Sequence, residues 1–551
     1  VRTPSRPFLI AAALGSALLP LWACQKGDGT SAPTAVQANN AGKSLVPSLG
    51  KQLAKGQASE LRLALGGRVV TWLADAEKPR LNGIPPQMRV GELWAAAVDG
   101  GAAPRRLANG VTNVPGGWLF TPDGRWVLLL EGFNAAVSSG TLVAVDLWDP
   151  ASQPVRLGGG VSYALGSPDS ARVAWVEQGV LKVGKLPDGP FRSVAGEVST
   201  ASFTPDGQSV LFRRRLTAAG GLFLAPVEGG EPRKLADYVA DFELAPDGKH
   251  LAYTARSEVD PSYQDLFLAP APAFVPKRIA TQAWRFGFSP DGKWLARTEG
   301  WKSSDEAGDL YAGPANGEGA RKVGEKIGRF SFAPDSTAVA YLEFYDPNAN
   351  GGAGVLGVAE LPDGKPRRVG NRVPNYAWGA NGQYVAFLSR FMKPVYSVDL
   401  MLYERGQEKS VKVRQGAFGY SFSPGNERLY FRTNCIRDGR ACDLVEVTPG
   451  EVRPAAEASD AGVPSPKEQA RILEGLYTFA ASRDGSRLLV TYPRWEAKTY
   501  DVATYNVATK QRRSIDSLVQ VPPAFLSDDG KKVVYVVEDG ERSGVYVSIE
   551  E

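Results

Sequence analysis

One short motif returns along most of this 551-residue chain, and it limits the fold more than any other feature. It consists of an apolar residue, a small residue, Pro-Asp-Gly, two polar positions and then an alternating apolar stretch. Clear copies begin at Phe120, Gly166, Phe203, Leu244, Phe288 and Phe332. Their central acids are Asp123, Asp169, Asp206, Asp247, Asp291 and Asp335. Degenerate copies follow at Trp378, Phe422, Ala481 and Leu526, the last two keeping Asp484 and Asp529, and an eroded copy sits at Leu65-Gly66-Gly67. Adjacent turn positions lie 37 to 59 residues apart and average about 45, the length of a four-stranded propeller blade.

Each repeat supplies four strand-like stretches in a fixed order. The first ends at the residue before the turn, as in Arg285-Phe286-Gly287-Phe288, and the second follows it, as in Trp294-Leu295-Ala296-Arg297. Asp265-Leu266-Phe267-Leu268 and Asp309-Leu310-Tyr311-Ala312 are third strands. Pro232 to Leu235, Pro276 to Ile279 and Pro366 to Val369 open fourth strands whose basic pairs discourage edge-to-edge pairing. The turn itself needs no ligand: Pro fixes φ, Asp accepts backbone N–H groups, and Gly supplies a positive φ. The recurrent Asp residues are therefore read as structural rather than as calcium ligands or catalytic acids.

Composition agrees with a turn-rich, all-β chain, since 61 Gly and 40 Pro accompany 12 Trp, 19 Tyr and 22 Phe but only three Met. With 63 basic and 59 acidic side chains there is no concentrated basic stripe, so nucleic acid is not an expected partner. His250 is the one histidine, just after a turn, where it is read as a solvated strand residue rather than a triad base. No metal-ligand cluster and no Gly-x-Ser-x-Gly element is visible, so neither a metal nor a cofactor is expected.

The amino-terminal segment points to export. Arg2 and Arg6 precede an apolar run from Phe8 to Leu21, too short to span a membrane and suited to a secretory signal. It closes in Leu21-Trp22-Ala23-Cys24, which resembles a bacterial lipoprotein lipobox with Cys24 as the lipidated residue; an ordinary signal peptide with a chance cysteine is the competing reading. Residues 1–23 are thus expected to be a signal peptide and 24–57 a flexible tether, rich in Gly, Ser, Ala, Asn and Gln. Gln25, where an Asp would favour inner-membrane retention, points to the outer membrane.

Two cysteines remain. Cys435 and Cys442 flank an Asp438-Gly439 turn between a second and a third strand, so a disulfide across the hairpin is expected in an exported protein, with a metal pair or free thiols as alternatives. Two segments exceed the period and are candidate partner sites. One is the loop 74–92; the other contains Ser465-Pro466-Lys467-Glu468, which reads as the start of a short helix running to Leu473.

The Phe-Ser-Pro-Asp-Gly-Lys-x-Leu-Ala type of element resembles the WD40-like PD40 β-propeller repeat of the TolB family, from about residue 58 to 551. The resemblance implies a propeller, and it is confined to the repeats, because the amino-terminal α/β domain of TolB has no visible counterpart. Sialidase Asp-boxes need a residue between Asp and Gly that Asp291-Gly292 lacks, and Trp148-Asp149 is an isolated WD dipeptide.

About eleven four-stranded blades exceed the usual ring of up to about eight. Two rings are therefore expected, with blades one to five in 58–285 and six to eleven in 286–551. The last repeat stops at a third strand, Gly544 to Ile549, so a segment from residues 45 to 57 is expected to supply its fourth. The functional expectation is a lipid-anchored, non-catalytic propeller of the bacterial cell envelope that binds another envelope protein or a surface polymer. A propeller hydrolase or lyase acting at the central channel is the alternative, and two carboxylates converging there would favour it.

Overall fold

The computed structural model describes residues 49–551 apart from 82–83, 216–219, 303–305, 347–352, 363–364, 393–396, 437–438, 440, 453–469, 495–498, 539 and 551. Signal peptide, Cys24 and most of the tether lie outside the described residues. Those that are described form antiparallel sheets joined by turns, with three short 3-10 turns at Leu65–Gly67, Pro449–Glu451 and Gly540–Arg542.

Hydrogen bonding divides the strands into seven four-stranded sheets and two seven-stranded ones, in a β-propeller arrangement. The expectation of eleven separate blades in two rings is corrected accordingly. Seven blades stand alone, and the remaining repeats are joined in pairs. The joint in one case is Val155–Gly166, whose first half pairs with Ser139–Asp146 and whose second half pairs with Arg172–Glu177. Val161 belongs to both ladders, facing Gly140 and Glu177, because the chain bends at Gly160 (φ 65°) without leaving the sheet. Val519 plays the same part in Arg512–Leu526, facing Tyr500 and Val537.

No break divides the repeats into two rings. Residues 48–551 form one compact unit, and buried clusters run without interruption from each repeat to the next. Across the expected boundary near residue 285, Ala280 and Ala283 pack with Phe288 and Leu295 in one cluster. The first and last repeats share another, in which Val70, Trp72 and Val98 meet Val534, Val536 and Val547. The reason is visible in the second and third strands, which are apolar on successive residues, as in Val127 to Leu130 and Leu142 to Val145. Such strands are buried on both faces and need a neighbour on each side.

Closure is also made by backbone pairing. Lys51–Lys55 runs antiparallel to Gly544–Ile549 with Lys51 opposite Val547 and Lys55 opposite Gly544, giving the last repeat its fourth strand. The expected tether therefore ends before residue 51. The other correction concerns the helix expected to run from Ser465 to Leu473: its start lies outside the described residues, and Ala470–Leu476 is a strand paired with Ala441–Val447. Leu473 and Leu476 are buried against Leu444 and Leu488 of the flanking strands, and this packing overrides the local helix signal.

The Pro-Asp-Gly turns are built alike. The hydroxyl of Thr121, Thr204, Ser289, Ser482 or Ser527 donates to the following Asp at 2.6 Å. The same Asp oxygen accepts the N–H two residues on, at 3.0 Å in Arg125 and Lys293. Gly292 takes φ 74°, yet Ser170, Ser336 and Asn426 adopt the same left-handed conformation without being glycine. Their side chains explain it. Ser170 accepts the Asp123 N–H at 3.0 Å, Ser336 that of Asp291 at 3.0 Å, and Asn426 that of Ala380 at 2.5 Å, each tying a turn to that of the preceding repeat.

Because strands alternate in direction, all these turns lie on one face of the propeller. The hairpins between second and third strands, and the links from each fourth strand to the next first strand, lie on the other, called here the hairpin face.

Candidate ligand-binding face

The position five residues before the turn Pro, or its equivalent, marks where each innermost strand starts at the hairpin face. In four successive repeats it holds Asp241, Arg285, Arg329 and Asn375. Arg285 and Arg329 are exposed, and each guanidinium lies over an aromatic ring at the end of its own second strand. The distances are 5.9 Å to Trp301 and 5.7 Å to Tyr345. Contacts of this kind help to hold a long side chain in place at the surface.

Trp284 precedes Arg285 and stacks on Trp301, ring centroids 5.7 Å apart and 15° between planes, while remaining 55% exposed. Trp301 is itself buried, so the pair is anchored on one side only. Tyr238 and Phe344 are further exposed aromatics on this face, Phe344 lying 5.3 Å beneath the Arg368 guanidinium, which in turn bridges Glu343 at 2.6 Å. Between Arg329–Ser331 and Pro374–Tyr376 runs a cleft of about 240 Å³. The enclosed Asn375 Oδ1 at its edge has no hydrogen-bond partner among the described residues, while the Tyr376 hydroxyl is held by donating to the Ala340 carbonyl at 2.9 Å.

On the other flank, Asp241 and Glu243 alternate along Val239–Leu244 and so project from the same side of the strand. Burial pushes the Asp241 carboxyl up, against the hydrogen bond it accepts from the Phe242 N–H and the nearby Arg213. Burial also pushes Glu243 up to about 7, opposed by the Phe288 N–H at 3.4 Å and reinforced by Asp241. A carboxyl titrating near neutrality can take up or release a proton under ordinary conditions.

The Asp residues singled out in the sequence sit on the opposite, turn face. Partial burial raises their carboxyls, but donated hydrogen bonds outweigh it and hold Asp123, Asp169, Asp291, Asp335 and Asp484 below the usual range. For Asp529 the Ser527 hydroxyl leads. His250 opens a second strand at the turn face opposite Pro270. A disulfide joins Cys435 to Cys442 across a hairpin on the hairpin face. The loop 74–92 is pinned there as well: Asn113 accepts the Arg89 N–H at 2.7 Å and donates to Glu60 and to the Gln87 carbonyl at 3.0 Å. Sequence reading missed the arginine–aromatic pairs. Their signal is a register one: Arg285 and Arg329 lie six residues before a turn Asp, and Trp301 and Tyr345 ten after it.

No protein family matches the sequence, and no curated protein matches it either. Solved structures with some likeness include a eukaryotic initiation factor, 12% identical, covering 69% of this chain and 94% of its own with a TM-score of 0.37. A tricorn protease is 13% identical over 89% of this chain and 57% of its own (TM-score 0.29). A putative TolB from Agrobacterium tumefaciens is 15% identical over 43% and 88% (TM-score 0.25). At these scores the propeller arrangement rests on the sheets described above.

Proposed function

We propose that this chain is a non-catalytic β-propeller of the bacterial cell envelope, anchored by lipid on Cys24, which binds an envelope protein or surface polymer at its hairpin face. The exposed Trp284 indole, with the exposed Arg285 and Arg329 each over an aromatic ring, carries this reading, because an ordered aromatic and cationic surface is the usual makeup of a recognition site. The Leu21-Trp22-Ala23-Cys24 segment supports the anchor and, with Gln25, an outer-membrane location. The Cys435–Cys442 disulfide is in keeping with an oxidising compartment. The repeats are read as units of the TolB-like PD40 type. Cross-linking and pull-down from membranes is expected to recover a partner from cells carrying the native chain and to lose it in Trp284→Ala. Equal recovery from both would overturn the reading.

Asp241 and Glu243 favour one second reading, a hydrolase or lyase using the pair for proton transfer at the channel. That reading requires turnover abolished by Glu243→Gln with binding intact.

A further inference from the structure

The basic residues that open the fourth strands do more than guard an edge. One register recurs, opposite the residue two places before the end of the third strand, and it is held by Arg321 opposite Ala312 and by Arg367 opposite Val358. From this register the side chain crosses, on the turn face, to the end of the third strand in the following repeat or to the turn after it. Arg321 donates to the Pro362 carbonyl and Arg367 to that of Gln407 at 3.0 Å. Arg233 donates to Pro272 and Ala273 at 3.2 and 2.8 Å, and Arg192 to Val227 at 2.9 Å. Arg105 takes three carbonyls, those of Asp146, Pro150 and Ser152, at 2.7, 2.9 and 2.9 Å. In the closing strand the register falls to Lys51, opposite Val547, which donates to Gly100 of the first repeat at 3.1 Å. Each of these bonds latches the outer rim of one repeat to that of the next, and a charged donor makes it stronger than a bond between neutral groups.

Three junctions keep the register without the latch. Val155 and Val411 occupy it opposite Ala144 and Leu402, and a valine side chain has nothing to donate. Lys277, opposite Leu268, is exposed and makes no hydrogen bond among the described residues. The Val155 junction is spanned instead by the shared strand Val155–Gly166. The other two keep hydrogen bonds nearer the axis: Asn426 accepts the Ala380 N–H at 2.5 Å across the Val411 junction, and Glu243 accepts the Phe288 N–H at 3.4 Å across the Lys277 junction. Sheets pinned on the inside and unlatched on the outside form a hinge. We infer that the propeller flexes at the junctions marked by Lys277 and Val411, where the outer rims part about these inner bonds. The repeats between them, latched by Arg321 and Arg367, move as one body. This hinge is independent of the binding reading above.

Hydrogen exchange of the folded chain, read by mass spectrometry, tests it, because outer-strand amides exchange when a rim opens. The fourth strands Lys277–Ala280 and Val411–Ala417 are expected to exchange about tenfold faster than the latched Arg321–Ile327 and Arg367–Val373, the factor that one charge-assisted hydrogen bond supplies. Val411→Arg adds the missing donor and should slow exchange in its own strand about tenfold, whereas Arg367→Ala should speed exchange in Arg367–Val373 about tenfold, each leaving the other strands as they were. Arg367 is exposed, so its replacement keeps the fold and the comparison holds even where an arginine at 411 disturbs packing. Equal exchange in the four native strands overturns the inference, and so does an unchanged rate in Arg367–Val373 after Arg367→Ala.

Discussion

Ser336 shows how a residue that breaks a local rule is compensated. A non-glycine residue in the left-handed region is strained by about 1–2 kcal/mol, and here the hydroxyl recovers part of that by accepting the Asp291 N–H. Ser336→Ala keeps the strain and loses the bond, so it should destabilise by about 1 kcal/mol, whereas Ser336→Gly should be closer to neutral, both read by urea unfolding. The Pro-Asp-Gly rule was legible in the sequence. The reason for its exceptions was not, because Ser170, Ser336 and Asn426 act on a turn in a different repeat.

Glu243 makes a second residue-level prediction. Its folded pKa, about 7, lies above the ordinary 4.5, so the folded state holds the proton more tightly. Its contribution to stability is full below about pH 4.5 and is lost as pH rises to about 7, by roughly 3 kcal/mol at most. Asp241 acts in the same direction. Glu243→Gln should flatten the fall in denaturant midpoint across that range, and an unchanged slope would show that the carboxyl is solvated. Turn carboxyls such as Asp291, with lowered pKa, act oppositely: their stabilisation is present above the ordinary pKa and fades as pH drops through the folded one.

At the scale of elements, strand order within each repeat was readable from alternation and turns, down to Phe286–Phe288 as a first strand and Lys277–Ala280 as a fourth. The strand Ala470–Leu476 was misread, because Ser-Pro-Lys-Glu signals a helix start locally while burial of Leu473 and Leu476 is decided by the neighbouring repeats. The Cys435–Cys442 bridge closes a short loop at the end of one hairpin. Replacing both cysteines with serine should lower unfolding stability by about 2 kcal/mol and leave circular dichroism of the sheets unchanged.

Over the whole molecule, the period was legible, and so was the closing strand expected from residues 45 to 57, which Lys51–Lys55 supplies; the number of rings was not. Ring number depends on whether distant repeats meet, and only packing such as that of Trp72 with Val536 reveals it. The arginine–aromatic pairs were hidden for a similar reason, since Arg329 and Tyr345 become a pair only when two strands are laid side by side. Truncating the chain before residue 58 should strip the last repeat of its outer strand and expose the Gly544–Ile549 edge, lowering the melting temperature and opening both ends to protease. The lipid anchor proposed above is tested on the whole chain too: if Cys24 carries it, Cys24→Ala should move the protein from the membrane fraction to the soluble one.

The pairing of Lys51–Lys55 with Gly544–Ile549 joins the first described strand with the last. Contacts so far apart in sequence form late, so Lys51–Lys55 has to wait, unpaired, until Gly544–Ile549 is in place. The circle is therefore completed only once every repeat between these two strands has been made. A chain interrupted before Gly544–Ile549 is thereby left with free strand edges, at which proteolysis and mispairing are expected to begin.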